Sequence, residues 1–160
     1  MLHLIPAPLH RMALRVGHRL RTRWRRWRKM QTAGVSVIAI DGQRRVLLVR
    51  HSYGSRAWAL PGGGLGRGED PHECARREMR EELGCTLERL ELAAQIDETL
   101  YGAPHRGYVF TARLAGEPRI DGREVIDRGW FALDALPPDL VRFAAYRLRL
   151  AFPEHYNSES

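Results

Sequence analysis

The chain has 160 residues, 44% of them hydrophobic, enough for one domain with a sizeable core and too few for two. Its net charge of +7 is unevenly spread: residues 1–30 hold nine Arg or Lys and no acid, leaving 17 basic against 19 acidic side chains in 31–160, a net of minus two. Two cysteines exclude a disulfide framework or a cysteine-rich zinc site and fit a reducing cytoplasm, and no apolar run is long enough to span a membrane.

In the first 30 residues Leu9, Met12, Ala13, Val16, Leu20, Trp24 and Trp27 recur at steps of three and four, with arginines around the remaining face. This predicts a basic amphipathic helix, with Gly17 a local weakness. Packing on the domain, an anionic membrane surface and nucleic acid are all partners that residues 9–30 would suit, and an arginine-rich targeting peptide is a fourth reading. Gly34 to Ile40 and Arg45 to Arg50 are β-branched runs around Asp41 and Gly42, which predicts a hairpin of strands covered on both faces.

The stretch from Gly62 to Cys85 is unlike the rest. Gly62, Gly63, Gly64, Gly66 and Gly68 form a loop whose backbone can approach a ligand closely. Asp70 then reads as an N-cap, Pro71 as the first helical residue, Glu73 as the partner in a capping box and Gly84 as the C-terminal stop. At about 100° per residue, Ala75, Met79 and Leu83 form one apolar stripe, and Glu78, Glu81 and Glu82 fall together on the adjoining arc. Three clustered carboxylates repel one another, and a hard divalent cation that completes its shell with water and phosphate oxygens would relieve the repulsion. Cys74 points toward the same arc and reads as a small buried filler, since hard cations prefer oxygen. A charge-laced surface helix would carry the same acids without the glycines. A Walker loop is excluded, because no Gly-Lys-Ser/Thr follows them.

The spacing resembles the Nudix box, G-x5-E-x7-R-E-U-x-E-E-x-G-U with U apolar. Gly63, Glu69, Arg77, Glu78, Met79, Glu81, Glu82, Gly84 and Cys85 occupy every fixed position, Cys85 being a less usual last residue. The resemblance extends more loosely from about Thr32 to Ala151. It implies an α/β/α sandwich with a mixed sheet, cleaving with Mg²⁺ or Mn²⁺ the pyrophosphate of a nucleoside diphosphate joined to another group. It also implies Glu78, Glu81, Glu82 and the loop residue Glu124 as metal ligands. Glu81, Glu82 and Glu124 are candidate bases, Gly63 and Gly64 are phosphate and metal contacts, and Glu69 and Arg77 brace the helix.

Around the box, Trp58, Leu60 and Pro61 resemble the short strand preceding it in family members. Trp58 is read chiefly as a core anchor, with base stacking as its alternative. Tyr53, Arg56 and Arg106 are candidate substrate contacts with Trp58, and His51, Tyr101 and His105 come from the same loops. After the box, Leu87 to Ile96 reads as a strand, Asp97 to Thr99 as a loop, Tyr108 to Leu114 and Arg128 to Leu133 as strands, and Asp134 to Asp139 as the start of a final helix. Residues 154–160 read as a mobile tail. These features divide the chain into 1–30, 31–153 and 154–160. The competing reading is a non-catalytic scaffold whose basic helix tethers it to membrane or RNA.

Overall fold

The computed structural model describes residues 32–100, 102–120, 122 and 124–157. The basic helix expected in residues 1–30 lies outside them, as does Tyr101. Among the described residues, five strands and three helices follow in the order β1 (Thr32–Ala39), β2 (Val46–His51), α1 (Pro71–Leu83), β3 (Thr86–Leu100), β4 (Ala103–Ala115), β5 (Val125–Phe131), α2 (Arg142–Ala151) and α3 (Pro153–Asn157). Among the described residues, no helix is long and apolar enough to cross a membrane.

A three-stranded sheet runs β1-β4-β3, with β1 parallel and β3 antiparallel to β4, and β2 pairs antiparallel with β5 in a second sheet. Successive residues of β1 face opposite layers. Val35, Val37 and Ala39 join a core with Ala75, Met79 and Leu83 of α1, whereas Ile38 joins a core with Ala144 and Leu148 of α2. That alternation produces the expected α/β/α layering, and it explains why β1 and β2 are apolar almost throughout.

The expected β1–β2 hairpin is not formed. Asp41 does turn the chain, accepting the amides of Gln43 and Arg45 at 2.9 and 2.8 Å, but the strands share only the Ile40–Val46 bridge. The edge of β1 away from β4 is taken instead by the glycine loop. Val37 N donates to Pro61 O at 2.9 Å, Val35 N to Gly63 O at 2.8 Å, and Leu65 N to Ala33 O at 2.9 Å. Thus β1 gives up its neighbour in sequence to hold the loop that precedes α1.

Three further expectations are corrected. Asp97 to Thr99 are not a loop: β3 continues through them because Arg106, His105 and Pro104 pair opposite. The last helix does not start at Asp134 to Asp139, since Asp139 O accepts from Trp58 N at 3.0 Å and its carboxylate from Arg50 Nη2 at 2.8 Å; α2 begins at Arg142. The beginning of the supposed tail is helical, as α3.

Candidate active site on helix α1

Helix α1 is fixed at both ends and along one side. The Asp70 carboxylate accepts from His72 N and Glu73 N, and Gly84 ends the helix at φ 62°, with its amide on Arg80 O. Only half of the expected capping box forms, as Glu73 faces Arg76 Nε at 3.7 Å. Ala75, Met79 and Leu83 are fully buried. Burying Met79 and Leu83 stabilises the fold by about 1.5–3 kcal/mol each. This seam sets the rotation of the helix, and that rotation turns Glu78 and Glu82 toward the glycine loop.

Glu82 is the most committed of the acids. It is 5% exposed, accepts from Gly62 N through Oε2 at 3.1 Å, and pairs through Oε1 with His51 Nε2 at 2.8 Å. Glu78 lies against Gly63 so closely that a Cβ there would be 2.4 Å from its Oε1. Burial, and then the charge of Glu82, push the Glu78 carboxyl up to about 7. An acid lifted that far by burial, with a second acid adding to it, marks a place short of positive charge.

Arg77 meets part of that need. Its guanidinium lies among the acids rather than projecting away from them. Nη1 donates to Glu78 at 2.8 Å and to Glu81 at 3.2 Å, and Nη2 to Gly64 O at 3.2 Å. Nε and Nη2 grip Glu69 at 2.7 and 3.0 Å, while Glu69 accepts Gly66 N at 2.6 Å. Arg77 and the Gly66 amide hold the Glu69 carboxyl down at about 2. Loop and helix are therefore tied by one fork of hydrogen bonds. Cys74 fills the space beneath, donating to Gly64 O at 3.6 Å, with its thiol pushed up to about 12 by burial and then by Glu69 and Glu78.

The expected set of four acids is thereby divided. Glu78 and Glu82 both lie against the glycine loop, where the charge of Glu82 acts on Glu78, whereas the Glu81 side chain is 60% exposed and turns outward to Arg77. Glu124 comes in from the loop before β5, where Ser52 N donates to its carbonyl at 2.8 Å, and its charge reaches His51. Among the described residues, no three acid, His or Cys side chains enclose an ion by themselves. Two carboxylates with a glycine cradle do fit a hard divalent cation, which takes its remaining ligands from water and phosphate oxygens. The lifted Glu78 gives the same indication.

Of the residues expected in loops, His105 and Arg106 lie in β4, with His105 buried, and His51 is the one that reaches the acids. It ends β2 rather than lying in a loop, and it braces Glu82. Burial pulls its imidazole down, but the hydrogen bond and charge of Glu82, with Glu124 and Glu78 beyond, lift it above the ordinary histidine value. Tyr53 packs beside it with ring centroids 5.3 Å apart, and Arg56 is exposed on the following loop. Trp58 is not available to a base: it is 8% exposed, with Arg50 over its ring at 4.6 Å and Phe131 against its edge at 4.9 Å. Arg106 is on strand β4, paired with Asp97 at 2.9 Å.

A sequence model of the NUDIX domain matches residues 30–151. The chain belongs to the NUDIX family. NUDIX relatives include an ADP-ribose pyrophosphatase of Mycobacterium tuberculosis, 32% identical over 62% of this chain and 52% of its own length. An RNA pyrophosphohydrolase of Rhodospirillum rubrum is 35% identical over 52% of each chain. The chain thus spans about half the length of these two curated relatives. Among solved structures, a MutT NUDIX hydrolase from Burkholderia pseudomallei superposes with a TM-score of 0.68 at 30% identity, over 76% of this chain and 98% of its own.

Proposed function

We propose that this NUDIX chain is a pyrophosphohydrolase that uses Mg²⁺ or Mn²⁺ to break the phosphoanhydride of a nucleoside diphosphate joined to another group. The observation that carries the reading is the pairing, on one turn of α1, of the buried Glu82 with the largely buried Glu78, which is pressed against Gly63, the two being held by His51, Gly62 N and Arg77. Burying two carboxylates side by side opposes folding, and a scaffold alone has no use for them. The relatives named for pyrophosphatase and pyrophosphohydrolase activity point the same way. Glu78 and Glu82 would hold the cation, which when bound neutralises phosphate charge and acidifies water. His51 and the Gly62 amide keep the Glu82 oxygens in one orientation, while Arg77 holds the loop against the helix for the phosphates to dock. In this scheme Glu124 takes the proton of the attacking water, Glu81 lying further out. The two free buried cysteines suit a reducing cytoplasm.

The test is Glu82→Gln, which keeps the shape and removes the charge. Release of monophosphate or orthophosphate from a panel of nucleoside diphosphate conjugates, with Mg²⁺ or Mn²⁺, is expected to fall at least about 100-fold while the melting temperature stays close to that of the parent. Wild-type rates with every accepted compound would overturn the assignment.

A further inference from the structure

Helix α2 has a side that the fold does not use. Ala144 and Leu148 are buried in the core, and at about 100° per residue Phe143, Tyr146 and Leu150 form a row about 60° wide on the outer side. Phe143 is 39% exposed and Tyr146 48%, with Leu150 half-buried beside them. Arg142 and Arg149 fall on the adjoining arc, and both are exposed.

The helix holds three arginines and no acid. Arg147 is committed inward, with Nη2 on Glu98 and Nη1 on Ser36 Oγ at 2.7 Å. Arg142 and Arg149 have no acid partner among the described residues, and Arg149 rests over the Tyr156 ring at 5.8 Å. Of the acids that flank the helix in sequence, Asp139 is taken by Arg50, and Glu154 lies past its end on α3. The outer face of α2 is therefore apolar and cationic together.

Its charge limits what can cover it. A second copy packed about a twofold axis would set these arginines against their own kind. Residues 1–30, outside the described residues, hold nine Arg or Lys and no acid, so that segment has no opposite charge to offer. A polyanion is left. Single-stranded nucleic acid stacks its bases on open ring faces. Here the Arg147 guanidinium already lies over Phe143, 5.8 Å from the ring centroid, and the third member of the row is Leu150, which offers no ring. An anionic bilayer suits the arrangement better: a short apolar row enters the headgroup boundary, a tyrosine sits at that level, and arginines alongside meet lipid phosphates.

We propose that the outer face of α2 docks on an anionic lipid surface, with Phe143, Tyr146 and Leu150 entering the boundary and Arg142 and Arg149 on the phosphates. Among the described residues no helix is long and apolar enough to cross a membrane, so this contact is peripheral. One row this short binds weakly, and stable attachment takes a second signal. The sequence of residues 9–30 has the chemistry for one, with Trp24 and Trp27 in an apolar pattern among arginines. The inference goes beyond the hydrolytic reading and does not depend on it.

The test is flotation of the full chain with vesicles of phosphatidylcholine, with and without phosphatidylglycerol. The parent is expected to float with the phosphatidylglycerol vesicles and to stay behind with the neutral ones. Phe143→Ala with Tyr146→Ala should lower affinity for the anionic vesicles about tenfold or more. Arg142→Gln with Arg149→Gln should lower it about fivefold per arginine and weaken its dependence on salt. The two arginines are exposed and their loss leaves the core intact, so that variant decides if the ring variant does not fold. A labelled single-stranded oligonucleotide is titrated in parallel. A parent that ignores anionic vesicles or binds neutral ones equally, or folded variants that bind as the parent does, would overturn the proposal. So would a loss in the ring variant that is as large or larger for the oligonucleotide.

Discussion

Helix α1 starts on a carboxylate that takes two backbone amides and stops on a left-handed glycine, whereas α2 starts on Val141 with no side-chain cap and stops on Phe152. On its inner side α1 buries Cys74, Ala75, Met79, Glu82 and Leu83; α2 buries Ala144 and Leu148 and leaves Phe143 and Tyr146 exposed. Both helices cover the same layered sheet, so the difference follows from what each carries. Helix α1 presents acids that repel one another, and only strong local constraints keep such charges in register. Helix α2 sends one largely buried cation, Arg147, across to Glu98, and needs less.

The largest break in that comparison is expected in the apolar seam. Met79→Ala should destabilise the fold by about 2–5 kcal/mol, read by urea denaturation, because Met79 is fully buried under the sheet. Phe143→Ala on α2, where the ring is 39% exposed, should cost under about 1 kcal/mol. Equal losses would show that the two helices are held alike.

Next comes the loop. Gly63→Ala drives a methyl group into the Glu78 carboxylate, at 2.4 Å from Oε1, and the acid must swing aside. A displacement of about 1 Å at a reacting centre costs on the order of 100-fold, so kcat/KM should fall by about that factor with little change in melting temperature. Gly42→Ala, with nothing within 4 Å of the added carbon, should change neither.

Acidity provides a third contrast. With Glu78 lifted to about 7 from the 4.5 of a free glutamate, the folded chain holds a proton that the unfolded chain has lost between those values. The stability of the chelated protein therefore falls as pH rises through that window. Glu78→Gln removes the effect, and its melting temperature should exceed that of the parent at pH 8 and match it near pH 4.5. Affinity for the divalent cation should rise over the same interval, since the cation favours the ionised form.

What the sequence discloses follows the same division. The caps, the Ala75, Met79 and Leu83 stripe and the arc of acids are set by neighbours within one helix, so periodicity alone locates them. Strand partners are not local. Nothing in the Asp41–Gly42 turn tells that the glycine loop will take the free edge of β1, and the His51–Glu82 bond spans 31 residues. A polar residue ending an apolar strand was the one available signal for His51. Asp97 to Thr99 look like a loop because their composition is polar, yet partners across the hairpin keep them extended. Asp139 looks like the start of a helix until Arg50 and Trp58 claim it.

The smallest effect expected is at the N-cap, and it tests what sets the position of the acids. Asp70→Ala frees the amides of His72 and Glu73 to water, and because the Asp70 side chain is 62% exposed those groups can be solvated. The cost should be about 1 kcal/mol, or about 3–5 °C in melting temperature. Turnover should stay within about twofold, because the seam and the Arg77 fork sit one and two turns further along and hold Glu78 and Glu82 without the cap. If turnover instead fell tenfold at that modest loss of stability, the cap would be steering the acids, and the seam would not be what fixes the helix rotation.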